Sequence, residues 1–264
     1  TVSGTGWSYT ATVANGTTYQ FNVKETDVAG NTSAATSNFT VTGDTTAPTV
    51  SSVSISSASG VQNSLLNAGD VVSVTVTFSE NVTTTGSPQF TLNVGGTNRT
   101  ATYGSGSGGT SLVFQYTIQA GESDADGISI GANALALNSG TIRDAAGNNA
   151  TLTHSAVSAN ASYKVDTTAP TAVWSAATDD VGVVTGALTS GDSTDDTALV
   201  LSGTNESGSS VTVYNGTTLL GAATVSGTGW SYTATVANGT TYQFNVKETD
   251  VAGNTSAATS NFTV

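Results

Sequence analysis

The chain contains no cysteine and no methionine, one histidine, three prolines and only five lysines and arginines among 264 residues. Without cysteine, neither a disulfide nor a thiolate metal site can staple the fold. The single His154, in Thr-Leu-Thr-His-Ser, excludes a histidine-rich zinc site, and a Ser/His/Asp triad would have to be built on that one residue in a bland strand or loop setting. Eighteen acids against five bases give a net charge of −13. Such a surface repels phosphate and offers no basic patch for counterion release, so nucleic acid is not an expected partner. No run approaches the roughly 18 apolar residues of a membrane-spanning helix, and no charged-then-apolar signal segment opens the sequence. Membrane insertion of this segment is therefore not expected either.

What fills the chain is Thr, Ser, Gly and Asn beside 37% hydrophobic residues, with only 9% charged. That mixture favours strands and turns over helices. The dominant feature is repetition. Residues 1–41 recur without a change at 224–264, an offset of 223, and Asp-Thr-Thr-Ala-Pro occurs at 44–48 and again at 166–170, each time between two strand-like runs. The chain divides into a half-module (1–43), a complete module A (44–165) and a complete module B (166–264), the half-module being a copy of the end of B. This alternation implies a longer parent protein in which the two module types take turns.

Period-two alternation marks strands with one buried face: Val72, Val74, Val76 and Phe78; Leu112, Phe114, Tyr116 and Ile118; Trp230, Tyr232, Ala234 and Val236; Tyr242, Phe244 and Val246. Asn215-Gly216 and Asn238-Gly239 supply tight-turn chemistry between runs. In B, strands are expected at 171–177, 198–204, 210–214, 217–225, 229–237, 241–249 and 258–264. In A they are expected at 49–57, 70–79, 88–94, 97–103, 111–118, 134–143 and 161–165. Seven short antiparallel strands in about 98 residues fit an immunoglobulin-like β-sandwich, so the fold class is all-β with tandem sandwich modules. Tyr242 is placed either as a tyrosine corner or as an ordinary core aromatic.

Strand order assigns each loop to one of two poles. The entry linker, the loop after the second strand and the loop before the last strand share the pole where the chain enters. In A that pole collects Asp44, Glu80 from Phe-Ser-Glu-Asn-Val and Asp144 from Arg-Asp-Ala-Ala-Gly-Asn; in B it collects Asp166, Glu206 from Asn-Glu-Ser-Gly and Asp250 from Thr-Asp-Val-Ala-Gly-Asn. Three converging carboxylates repel one another unless a positive charge sits between them. Ca²⁺ suits such a set, because it takes six to eight oxygens in irregular geometry and needs no nitrogen or sulfur, whereas Mg²⁺ keeps most of its water. The competing reading is a solvated acidic surface. Glu122, Asp124 and Asp126 in Gly-Glu-Ser-Asp-Ala-Asp-Gly-Ile are expected at the exit pole of A, where they can add ligands near Asp166, although no EF-hand Glu closes that loop. Asp179 and Asp180 are further candidate ligands before the second strand of B. A glycosidase pair would need a cleft, one raised carboxyl and aromatic platforms, and of three tryptophans Trp7 and Trp230 are copies of one core-like position. No catalysis is expected.

Val-Thr-Val-Tyr-Asn-Gly-Thr-Thr-Leu-Leu-Gly (211–221), Glu-Thr-Asp-Val-Ala-Gly-Asn (248–254) and the Asp-Thr-Thr-Ala-Pro linkers make B resemble the bacterial Ig-like repeats of giant biofilm-associated, type I secreted, RTX-like adhesins. Val-Thr-Phe-Ser-Glu-Asn-Val (76–82), Ser-Pro-Gln-Phe-Thr-Leu-Asn-Val-Gly-Gly (87–96) and Ile-Arg-Asp-Ala-Ala-Gly-Asn (142–148) make A similar to a repeat of giant cell-surface proteins of aquatic bacteria. The resemblance implies Ca²⁺ at junctions between modules, an extender role in cell adhesion, and a secreted or bacterial cell-surface location. It carries over to Asp166 and Asp250 in B, to Asp44 and Asp144 in A, and to Asp27 as the copy of Asp250. Asp179-Asp180-Val181-Gly182 matches the Asp-Asp before a Gly that often follows the first strand of such repeats. Expected partners are neighbouring repeats of the same or identical chains, with a surface glycan or protein receptor met by distal domains. Two other readings stay open: a carbohydrate- or receptor-binding module, and polymerisation by strand exchange. In the second, residues 1–41 complete residues 167–223 of a neighbouring molecule, unless strands preceding residue 1 in the parent complete them.

Overall fold

The computed structural model describes residues 1–183 and 185–264 and is all-β. Module A is built on a six-stranded sheet in the order Leu135–Ala136, Gln89–Val94, Thr97–Ser105, Ser111–Thr117, Val71–Phe78, Val50–Ser59. Short pairings face it: Ser123–Asp124, Lys164–Asp166 and Leu65–Leu66 in one sheet, and Thr83–Thr85 with Thr141–Arg143 in another. The alternating side chains of its central strands form the core, where Val72, Val74, Val76, Leu112 and Phe114 are fully enclosed. Phe90 and Phe114 pack with ring centres 5.6 Å apart.

Module B is a two-sheet sandwich. One sheet runs Gly186–Ala187, Val173–Asp179, Ala198–Thr204, Gly229–Thr235, Thr224–Ser226; the other runs Thr218–Ala222, Ser210–Asn215, Gln243–Thr249, Phe262–Thr263. Leu199, Leu201 and Trp230 from the first sheet meet Val211, Val213, Phe244 and Val246 from the second. This is the expected immunoglobulin-like arrangement, with sandwich faces about 10 Å apart filled by inward-facing residues. Trp230 decides one position opposite it. Its indole lies over Gly203, where a β-carbon would meet Nε1 at 2.6 Å and the Val173 carbonyl at 2.0 Å, and the indole N–H donates to that carbonyl at 3.1 Å. Tyr242 is a tyrosine corner: its hydroxyl accepts the Ala237 N–H at 3.0 Å.

Two expected strands divide. The run 134–143 is broken at Leu137–Gly140, where Asn138 and Ser139 take positive φ and Gly140 N–H closes a turn onto Leu137 O at 2.8 Å. The two halves then join different sheets. The run 217–225 switches sheets near Ala223, so that Thr218–Ala222 pairs with Ser210–Asn215 and Thr224–Ser226 with Gly229–Thr235. Val184 lies outside the described residues.

The half-module shows the same 41 residues, which in B contribute strands to both sheets, without the other strands they pair with there. It keeps a hairpin of Val2–Ser3 with Gly6–Trp7, shorter than its counterpart in B, and a pair of Thr18–Phe21 with Phe39–Thr42, longer than the pairing of Gln243–Thr249 with Phe262–Thr263. Contacts local in sequence survive, including the corner bond from Ala14 N–H to the Tyr19 hydroxyl at 3.0 Å. Contacts that need distant strands do not: Trp7 is 61% exposed, against 3% for Trp230.

Candidate cation sites at the module poles

At the entry pole of A the three expected acids meet. Asp44, Glu80 and Asp144 each place a carboxylate oxygen within 4.8 Å of the other two. Each comes from a different loop, and Asp44 Oδ1 accepts the Thr46 N–H at 3.0 Å. Asp144 Oδ1 accepts the N–H groups of Gly147 at 2.7 Å and Asn148 at 2.8 Å, and Oδ2 accepts the Asn148 side-chain amide at 2.8 Å. That amide also donates to the carbonyls of Asp44 and Thr46, both at 3.2 Å, which ties the loop to the linker. Burial raises the Asp144 carboxyl, but the Asn148 side chain and the backbone N–H groups of Asn148, Gly147 and Ala146 outweigh it and hold the group below the usual aspartate value. Glu80 goes the other way: desolvation first, then the charges of Asp44 and Asp144, push it above the usual glutamate value.

Module B repeats the plan. Asp250 Oδ1 accepts Ala252 N–H and Asn254 N–H, both at 2.8 Å, and Oδ2 accepts the Asn254 amide at 2.9 Å; that amide donates to Asp166 O at 2.9 Å. Glu206 is raised by desolvation, then by Glu248, Asp250 and Asp166. The Glu206, Asp166 and Asp250 oxygens are neighbours in charge, but among the described residues only the trio in A has all three within 4.8 Å.

Glu248 is the residue that sequence reasoning passed over. It is fully enclosed, its Oε1 accepts the Glu206 N–H and the Ser209 hydroxyl, each at 2.6 Å, and its Oε2 is buried without a hydrogen-bond partner. The signal was its parity, since Phe244, Val246 and Glu248 all point inward from one strand. Module A has Ile142 at the corresponding place before its loop Asp, so its pole lacks this fourth carboxylate. An unpartnered buried carboxylate oxygen beside a raised glutamate is a site that favours a cation or a proton.

Glu122 and Asp124 lie beside Asp166 as expected, Ser123 pairing with Asp166 and Asp124 with Val165, but among the described residues none of the other candidates joins a trio within 4.8 Å. Asp27 is exposed and uses its oxygens on Ala29 N–H, Asn31 N–H and the Asn31 amide, and it is held below the usual aspartate value chiefly by that amide. Asp124 lies inside A with both oxygens engaged, Oδ2 by Gly95 N–H at 2.7 Å and Oδ1 by Gly127 N–H at 2.8 Å, while Asp126 is exposed two residues further on. Glu122 is buried, paired with Arg99 and bonded to the Tyr116 hydroxyl at 2.5 Å. Asp179 ends the first long strand of B at the opposite pole from Asp166. There its Oδ1 accepts Val181 N–H at 3.0 Å and its Oδ2 the Thr194 hydroxyl at 2.7 Å; Asp180 beside it is exposed. His154 is half-buried rather than solvated: Nε2 accepts Ala134 N–H at 2.8 Å, so Nδ1 carries the proton and donates to Ser155 O at 2.8 Å. Neither ring nitrogen is left to act on a serine.

The acidic pole of B is also the contact between modules. Asn63 and Asn67 of A donate their side-chain amides to the carbonyls of Val251 and Ala252, both at 2.8 Å, and Gly253 approaches Gln62 so closely that a β-carbon would meet its Nε2 at 2.3 Å. Thr167 in the linker accepts Gly121 N–H at 2.9 Å and donates to Glu122 O at 2.8 Å. The loop that carries Asp250 thus has A on one side and the carboxylates on the other. At the first junction Asn15 plays a similar part, donating to the Thr46 hydroxyl and accepting Thr45 N–H, both at 2.9 Å.

Residues 167–264 match the model of the family described as Bacterial Ig-like domain. No curated protein matches the chain. Among solved structures it is similar to the fibronectin(III)-like modules of Clostridium thermocellum CbhA, at 14% identity over 79% of this chain and 91% of that one, with a TM-score of 0.33. It is also similar to SGBP-B of the Bacteroides ovatus mixed-linkage glucan utilization locus, solved with a mixed-linkage heptasaccharide, at 17% identity over 95% of this chain and 53% of that one, with a TM-score of 0.21.

Proposed function

From a module that matches the bacterial Ig-like domain and is joined to its neighbour through an acidic loop, we propose that this protein is a calcium-stiffened structural extender of a bacterial surface adhesin or extracellular filament, without catalysis. The observation that carries the proposal is the repeated pole: three separate loops of each module deliver carboxylates to the place where that module meets the preceding segment, and in B a fourth, Glu248, is enclosed with one oxygen unpartnered. Asp44, Glu80 and Asp144 would hold one ion, and Asp166, Glu206, Glu248 and Asp250 another. Bound Ca²⁺ supplies the positive charge these oxygens lack. The Asn148 and Asn254 amides hold linker and loop together, so neutralising the pole restrains the hinge between modules. The chain then projects distal domains toward a glycan or receptor on the outside of the cell, and its own neighbours are further repeats.

A sugar-binding reading finds less support, because the exposed aromatics Trp7, Tyr9 and Phe39 are copies of residues that B packs between its sheets or against them, rather than a platform. Equilibrium dialysis against Ca²⁺ tests the proposal. Saturable binding is expected in roughly the 10⁻⁴–10⁻³ M range of extracellular calcium modules or tighter, with Asp144→Asn abolishing one class of site and Asp250→Asn the other. No saturable binding up to several times that range, or binding indifferent to both variants, would contradict it.

A further inference from the structure

Two buried oxygens at the pole of B have no partner, and both belong to side chains braced on one turn. Asn205 is 7% exposed; its amide donates to Glu206 O at 2.6 Å and to the Ser209 hydroxyl at 3.1 Å, while its Oδ1 is buried and unpartnered. Glu248 holds the same turn through Oε1, on Glu206 N–H and the Ser209 hydroxyl, and keeps back Oε2. The charges of Glu248, Asp250 and Asp166 all reach Glu206 on that turn. A water molecule could donate to both orphan oxygens, but it would leave the enclosed charge of Glu248 uncompensated beside three further carboxylates. A divalent cation meets both needs, and Ca²⁺ accepts an asparagine carbonyl as readily as a carboxylate.

Module A offers neither oxygen. Ser79 precedes Glu80 as Asn205 precedes Glu206, and its hydroxyl is spent on Thr49 N–H at 3.0 Å; Ile142 stands where B has Glu248. Among the described residues A has no buried carboxylate or amide oxygen without a partner. Calcium affinity rises with the charge of the ligand set and with its rigidity. The pole of A brings three carboxylates, whereas that of B brings four, together with an amide oxygen fixed by hydrogen bonds.

On the reading of the poles as calcium sites, we propose that Glu248 Oε2 and Asn205 Oδ1 are inner ligands of the ion at B, and that they make this pole the tighter of the two. The junction between A and B is then braced first as calcium rises, and the pole of A fills at higher concentration. Filling B acts directly on that junction, because Asn63 and Asn67 of A hold the carbonyls of the loop that carries Asp250. By linkage, docking of A onto B and binding of the ion strengthen each other by the same factor.

Isothermal titration of the full chain with Ca²⁺ tests this, each pole being isolated by removing the loop aspartate of the other. Asp144→Asn leaves the pole of B and Asp250→Asn that of A. The dissociation constant in Asp144→Asn is expected at least about tenfold below that in Asp250→Asn; equal constants or the reverse order overturn the proposal. In the Asp144→Asn background, Glu248→Gln, which keeps the side-chain shape, and Asn205→Ala should each weaken binding at least about fivefold, and in the Asp250→Asn background both should leave it unchanged. Melting curves in chelator establish that each variant is folded, and should Asn205→Ala fail to fold, Glu248→Gln decides alone. Unchanged binding in the Asp144→Asn background means that water satisfies the two oxygens, and it overturns the proposal. No calcium uptake by the unaltered chain would sink the extender reading as a whole, whereas two equal classes of site sink only the order of filling.

Discussion

Alanine at Trp230 and alanine at Trp7 are the same chemical change in the same 41-residue sequence, placed in two environments. Trp230 is 3% exposed, packs edge-on against Trp174 with ring centres 5.8 Å apart, and donates its indole N–H to Val173 O. Truncating a buried tryptophan leaves a cavity and costs about 3–5 kcal/mol, and the orphaned carbonyl adds to the upper end of that range. For a domain of this size 1 kcal/mol moves the midpoint by roughly 4–8 °C, so Trp230→Ala should lower the melting temperature of B by at least about 12 °C. Trp7 is 61% exposed and has lost the partners that make its twin costly, so Trp7→Ala should stay within about 0.5 kcal/mol. Both variants are followed by calorimetry at a protein concentration low enough to keep the chain monomeric. Equal losses at the two positions would refute the claim that the half-module lacks a packed core.

Gly203→Ala should cost B about 3 kcal/mol or more, read as a shift in the denaturant midpoint, because a β-carbon there collides with the Trp230 ring and the Val173 carbonyl. Glu248→Gln should raise the chelator-treated melting temperature by the equivalent of about 1–3 kcal/mol, since it removes a buried charge whose Oε2 has no partner, and should reduce the gain from added Ca²⁺. Tyr116 is pushed up to about 12, first by burial and then by its hydrogen bond to Glu122. Its folded value lies above the unfolded one, so its contribution is complete below about pH 10 and is lost as pH rises toward 12. Discounted for partial exposure this amounts to roughly 1 kcal/mol, and Tyr116→Phe should flatten the alkaline limb of the stability curve accordingly. Glu80 and Glu206 are also raised, so in calcium-free protein the part of stability they control is greatest below the ordinary glutamate range and is lost as pH rises through it; Glu80→Gln should reduce that loss in pH-dependent melting curves.

The strands of the two full modules were legible because their side chains alternate against a core, as with Val72, Val74 and Val76 or Trp230, Tyr232 and Ala234. The poles of A and B were legible because strand count alone assigns loops to ends, which brought Asp44, Glu80 and Asp144 together before any coordinate. What alternation does not encode is where a run changes sheets. The runs 134–143 and 217–225 read as single strands, yet a turn at Asn138 and Ser139 and a crossing near Ala223 send their halves to different partners. Nor does charge reveal which acids are spent on backbone: Asp124 and Glu122 sit in an acidic run but satisfy N–H groups, a hydroxyl and Arg99 inside A. Glu248 was hidden for the opposite reason, since a carboxylate at an inward position looks like an exception to a pattern rather than a member of a site. The half-module shows the limit most directly, because one sequence yields a sealed core or an open cleft depending on strands that lie elsewhere in the chain.

The most direct test of the extender reading is thermal unfolding together with small-angle X-ray scattering on the intact chain, in Ca²⁺ and again in chelator. The account predicts a higher melting temperature and a longer, narrower distance distribution with Ca²⁺, both reduced in the Asp144→Asn, Asp250→Asn double variant. Identical melting curves and identical scattering in the two conditions would mean that the acidic poles are solvated surface and brace nothing.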